Sequence, residues 1–163
     1  MTKVDFYVLE DNGPGALLRF ACQLTEKVYS LGHQVHLHSA NEQMARKLDQ
    51  SLWTFSELAF IPHQRVDADH PLPAGEPAPV TIGMMTEKMD PVHCEDVLVN
   101  LGGEIPTWFS RFSRVAEIVA GDDEQRHQAR ERYRFYRDRG YNLDMHTIKP
   151  TPDPTPATEA PLS

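Results

Sequence analysis

Apolar and polar positions change period along this chain, and the changes lay out its elements. Residues 4–9 (VDFYVL) form a run of β-branched and aromatic side chains closed by the turn-forming EDNG of 10–13, which predicts a first strand. Leu17, Phe20, Ala21, Leu24, Val28 and Leu31 then recur at helical spacing. Pro14 suits the first turn of that helix, and Gly32 supplies a left-handed stop. Residues 35–38 predict a short second strand. Ser39-Ala40-Asn41-Glu42 reads as a capping box opening a second helix, with Met44, Ala45, Leu48 and Leu52 as its apolar stripe.

Residues 67–79 carry too much proline and glycine for regular structure and predict a surface loop. Residues 80–82 and 97–100 are short buried-strand candidates. Residues 114–119 (RVAEIV) read as the last strand, and Gly121-Asp122-Asp123-Glu124 starts a last helix that Gly140 ends. Strands alternating with helices imply an α/β fold, a three-layer Rossmann-like sandwich around a mostly parallel sheet. One domain is expected over 1–148, because 163 residues with 40% apolar content support one sizeable core. The Pro/Thr-rich stretch 149–163 cannot support a core and is expected to be a disordered tail.

Charge narrows the function classes. A formal net charge of −8 argues against coating nucleic acid, which runs on phosphate neutralisation and counterion release. The charge is uneven, however: residues 125–139 hold six arginines against Glu131 and Asp138, a net of +4, and taking +4 from −8 leaves −12 on the rest. No apolar run is long enough to span a bilayer and the start shows no signal-peptide pattern, so a cytoplasmic protein is expected. Cys22 and Cys94, isolated in sequence, read as packing residues in a reducing compartment.

Most enzyme-like patterns fail on inspection. The first strand-to-helix turn, 10–15, sits where phosphate is cradled in nucleotide-binding folds, but Leu18 stands where the dinucleotide pattern needs its third glycine, and no Gly-Lys-Ser/Thr follows. Glu10 and Asp11 repel phosphate and Pro14 removes an N–H donor, so a structural turn is expected, with a nucleotide-dependent enzyme on the same scaffold as the alternative. His36 and His38 share one strand face near His33, yet no carboxylate or cysteine nearby completes a metal set, and ordinary half-exposed histidines are expected. Cys94 and His93 would join them only by coincidence of fold. There is no Gly-x-Ser-x-Gly elbow and no obvious acid/base pair. Neither a cofactor nor a metal is expected.

Two patches remain. Trp53 falls roughly 130° from the centre of the second helix's apolar stripe, so it faces either solvent or the segment that follows; an exposed Trp beside Phe60 is the material of an interface anchor. In the last helix Arg126, Arg130, Arg134 and Arg137 fall within about 80° of arc with Tyr133 at one edge, while Ala129 and Tyr136 take the neighbouring core-facing arc. Dipole complementarity explains acids at the start of the helix and arginines at its end, but leaves Arg126 and Arg130 unexplained. Such a stripe suits a carboxylate-bearing peptide with apolar side chains.

These segments together resemble a known family. Residues 129–137 (ARERYRFYR) followed by Gly140-Tyr141-Asn142-Leu143 look like the C-terminal signature of the chi subunit of bacterial DNA polymerase III. Residues 5–9, 47–53 (KLDQSLW) and 60–63 (FIPH) resemble the same family in the same order, so the likeness runs from about Val4 to Leu143. The resemblance implies a nucleotide-binding type of fold without a working nucleotide loop, and a non-catalytic accessory subunit of the replicative polymerase. It implies an adaptor that binds the small psi subunit, and through it the clamp loader, and captures the acidic, phenylalanine-terminated C-terminal tail of single-stranded-DNA-binding protein. Carried over by position, the tail site would use Val119, Arg126, Arg130, Tyr133 and Arg134, and the psi surface Trp53, Phe60 and Pro62. Arg126 stands where the family pattern has lysine, which keeps charge and changes geometry. DNA would be met only indirectly. An adaptor for a repair helicase through the Trp53 and Phe60 surface is the other reading.

Overall fold

The computed structural model describes residues 2–10, 15–54, 61–65, 79–84, 95–101, 104–121 and 123–149. Seven strands, β1 (Lys3–Leu9), β2 (Val35–Ser39), β3 (His63–Arg65), β4 (Val80–Met84), β5 (Val97–Asn100), β6 (Arg114–Val119) and β7 (Asn142–Ile148), form one sheet in the order β3-β4-β2-β5-β6-β1-β7. Every pairing in it is parallel. Parallel neighbours need crossover helices, and those helices cover both faces of the sheet. Helices α1 (Ala16–Ser30) and α2 (Glu42–Thr54) pack on one face, with Leu9, Val35, Leu37, Val80, Ile82, Val99 and Ile118 beneath them. Helix α3 (Asp123–Asp138) packs on the other, over Val4, Phe6, Leu98, Val115 and Val119. The architecture is therefore the expected three-layer Rossmann-like α/β sandwich.

Residue chemistry accounts for the helix ends. Gly32 and Gly140 both take positive φ, 91° and 82°, a backbone region that costs a side-chain-bearing residue but not glycine. Each follows a helix, and Tyr141 N donates back to Tyr136 O across the second of these turns. At the start of α2 the cap is Asn41, not Ser39: Asn41 Oδ1 accepts from Met44 N at 2.8 Å. Ser39 is the last residue of β2, fully buried, and its hydroxyl donates to Gly83 O at 2.8 Å.

Three sequence expectations change. The strand at 114–119 is not the last, because β7 follows α3 and pairs in parallel with β1, Phe6 opposite Met145 and Leu9 opposite Ile148. As an outer strand it is mostly exposed and lacks a sustained apolar run, so its pattern is faint. The short strand β3, polar throughout, was likewise not expected. Third, His36 and His38 are buried rather than half-exposed, and their rings pack against Trp108 and, for His36, Phe112. His33 stays half-exposed. Cys22 is buried, which pushes its thiol up to about 12 and suits a packing role; Cys94 and residues 67–78 of the expected loop lie outside the described residues.

The burial of His38 has a consequence in acid. Nδ1 of that ring has no hydrogen-bond partner among the described residues, and burial lowers the imidazole to about 4 from its usual 6.5. The folded protein holds the ring neutral, whereas the unfolded chain takes up a proton below about pH 6.5. The stability due to neutral His38 is thus complete above about pH 6.5 and lost as pH falls toward 4, by about 2–3 kcal/mol at pH 4.5. Urea titrations of wild type and His38→Phe at pH 7 and pH 4.5 read this: the acid loss should be smaller in the variant by about that amount, and equal losses would remove His38 from the explanation.

Candidate functional site

The arginine stripe of α3 borders a groove of about 340 Å³ between the helix and the β1–β7 edge of the sheet. Alternation along β1 turns Phe6 and Val8 toward α3, Val119 ends β6 beside them, and parallel pairing sets Met145 of β7 next to Phe6. With Ala129 these side chains form an apolar floor. Tyr133 stands as a wall, its ring edge-on to Phe6 with centroids 5.3 Å apart. Along the rim lie Arg126, Arg130, Arg134 and Arg137. Met145 is 59% exposed, one of three large apolar side chains among the described residues that face solvent to this degree.

The rim arginines differ in what holds them. The Arg126 guanidinium donates to Leu9 O at 2.8 Å and Gly121 O at 3.2 Å, which pins it over the end of β1. Arg134 pairs with Glu131 one turn back, and Arg137 with its neighbour Asp138, both exposed pairs of small worth. Arg130 makes neither a hydrogen bond nor an ion pair with any described residue. A guanidinium left without a partner beside an apolar floor offers a two-pronged donor to a carboxylate whose side chain fills the groove. All five residues expected at a tail site, Val119, Arg126, Arg130, Tyr133 and Arg134, line this one groove, joined by Arg137 of the same stripe and by Phe6, Val8 and Met145, which the sequence did not single out as site residues.

Arg132 points elsewhere. Its Nε donates at 2.9 Å to Glu117, a carboxylate with no solvent exposure. The same carboxylate accepts from Tyr136 Oη at 2.7 Å and from Asn100 Nδ2 at 2.9 Å, so β5, β6 and α3 meet on one buried anion. Burial, and then the nearby Glu117 charge, push the Tyr136 hydroxyl far above its usual range and keep it a donor. This network fixes the rotation of α3 and therefore which arginines face the groove. Charged residues on a strand and a helix read as surface positions by default, so their patterns gave no sign of it.

The aromatic patch lies at the other end of the molecule. Trp53, in the last turn of α2, is 55% exposed and meets the His63 ring edge-on at 4.8 Å. The His63 side chain is buried, with Nδ1 donating to Ile61 O at 2.7 Å and Nε2 3.1 Å from Asp49 of α2. Half-buried Pro62 precedes it, while Phe60 lies outside the described residues. The patch sits at β3 and the groove over β6, β1 and β7, toward opposite edges of a sheet whose edge strands are roughly 29 Å apart across six strand spacings, and the helices that carry them cover opposite faces.

Comparison with known proteins decides the family. The model of the family described as "DNA polymerase III chi subunit, HolC" matches residues 1–144. This chain belongs to the DNA polymerase III chi subunit family. The DNA polymerase III subunit chi of Pseudomonas aeruginosa is 42% identical over 148 residues, 91% of this chain and 98% of that one. Those of Haemophilus influenzae and Escherichia coli are 29% and 28% identical, over 88% and 91% of this chain and 95% and 100% of their own. The chain is thus an accessory subunit of the replicative polymerase, and segment 150–163 lies past the span of the chi family model. Among the described residues of this chain no helix is long and apolar enough to cross a membrane, and no group of three or more His, Cys, Asp or Glu could hold a metal ion.

Proposed function

We propose that this chi-family chain is a non-catalytic adaptor of the cytoplasmic replication machinery, which joins psi, and through psi the clamp loader, to the acidic tail of single-stranded-DNA-binding protein. The observation that carries this reading is the groove: an apolar floor rimmed by four arginines, with Arg130 unengaged by any described residue. A chain of net charge −8 concentrates its cations where an acidic peptide with an apolar end would lie, and DNA is then reached through the partner. The second support is separation. A patch and a groove on opposite sheet edges can hold two partners at once, as a bridge requires. In this reading residues 1–148 form the working domain and no cofactor takes part.

The psi surface is assigned to Trp53, Phe60 and Pro62. Interface energy concentrates in such aromatic anchors, so Trp53→Ala is expected to weaken psi association by at least about 2 kcal/mol, roughly thirtyfold, with the fold and tail binding intact. Co-purification with psi reads the loss, and wild-type yield from the variant would reassign the surface. Bridging itself is tested by immobilising the psi complex and asking whether it retains a labelled acidic peptide ending in phenylalanine. Mutually exclusive binding would overturn the adaptor reading.

A further inference from the structure

We propose that segment 150–163 of this same chain docks in the arginine groove and competes there with the partner tail. The proposal rests on the reading of the groove as a peptide-tail site and adds an occupant to it. Three observations carry it. The first is where the segment starts. Strand β7 ends at Ile148, opposite Leu9, whose carbonyl oxygen accepts from Arg126. Lys149 therefore leaves the sheet beside the pinned rim arginine, at one end of the groove.

The second is reach. From Arg126 to Arg137 the rim follows α3 for about 17 Å at 1.5 Å per residue. Five of the fourteen residues in 150–163 are proline, a composition that favours an extended path of about 3.1 Å per residue, and the segment can thus span over 40 Å. Glu159, Pro161 and Leu162 can reach any point on the floor without strain on the chain.

The third is chemistry. Segment 150–163 carries Asp153 and Glu159 and no basic residue, and Leu162 is its one large apolar side chain. Acidic groups followed by an apolar side chain match a rim of arginines over a floor of Phe6, Val8, Val119 and Met145. Proline restricts the free segment, which lowers the entropy lost on docking. Because the occupant is tethered, even a millimolar intrinsic affinity is met by an effective concentration of the same order or above, so a partner tail binds more weakly by roughly two- to tenfold. A segment of this kind sets a threshold for tail capture that a chain without it lacks.

The test uses full-length protein and a fluorescein-labelled acidic peptide ending in phenylalanine, read by anisotropy. Leu162→Ser changes no charge, and Glu159→Gln removes one; the double variant is expected to bind the peptide two- to tenfold more tightly than wild type, with Leu162→Ser alone giving part of the gain. A synthetic 150–163 peptide added in trans should displace the label from the double variant, and the same peptide with both substitutions should not. Equal affinities for wild type and double variant would overturn self-docking while leaving the groove reading intact. If neither protein binds the labelled peptide, the groove reading fails and self-docking fails with it.

Discussion

Glu117→Ala is expected to destabilise the fold by about 3–5 kcal/mol. Its carboxylate has no solvent exposure and accepts from Arg132, Tyr136 and Asn100 at once, so truncation removes three buried hydrogen bonds, one of them from a cation whose side chain is only 10% exposed. Glu117→Gln should cost less than the alanine change and still be clearly destabilising: Arg132 uses one carboxylate oxygen and Tyr136 and Asn100 share the other, so the amide nitrogen faces Asn100 Nδ2 in one orientation and Arg132 Nε in the other, donor to donor. Arg134→Ala, which breaks only the exposed pair with Glu131, should change stability by well under about 1 kcal/mol. Urea denaturation ranks the three. A Glu117→Ala loss as small as that of Arg134→Ala would remove the network as the clamp on α3. Because the same helix carries the groove arginines, Glu117→Ala should also weaken peptide binding, although Glu117 lies outside the groove lining.

How much of this was legible in the sequence depends on the range of the contacts involved. The arginine stripe is a local pattern, since Arg126, Arg130, Arg134 and Arg137 recur at helical period within one segment, and the structure places all four on one rim. The floor could not be read in the same way. Phe6 and Met145 are neighbours only through a parallel pairing that joins positions 139 residues apart, and nothing in either strand names its partner. β7 itself was missed because an outer strand with one long face in water shows little apolar periodicity. Asn41 took the cap from Ser39 because β2 runs one residue further and draws the serine into the sheet, a boundary shift that local pattern cannot resolve. The buried histidines and the Glu117–Arg132 pair share one cause. Polar residues are surface residues by default, and only tertiary packing shows which of them the fold has enclosed and satisfied.

Arg130→Ala is expected to weaken capture of an acidic, phenylalanine-terminated peptide by roughly ten- to hundredfold, the loss of a charge-assisted contact worth on the order of 1.5–3 kcal/mol. Arg130 is the rim arginine with no described partner, so its removal costs no internal contact and leaves the fold as it was. Arg139 is the control. It stacks on Phe135, 3.7 Å from the ring centroid, and is not among the groove-lining residues, so Arg139→Ala should change affinity little. Affinity should also fall as ionic strength rises from about 50 to 300 mM, because part of the attraction acts between exposed charges. Amidating the peptide's C-terminus should mimic Arg130→Ala and should not add fully to it, since each removes the same pairing. The decisive measurement is this two-by-two anisotropy titration of wild type and Arg130→Ala against free-acid and amidated peptide. The adaptor reading predicts a large loss for either change and little further loss for both together; equal losses for Arg130→Ala and Arg139→Ala, or full additivity with amidation, would contradict it.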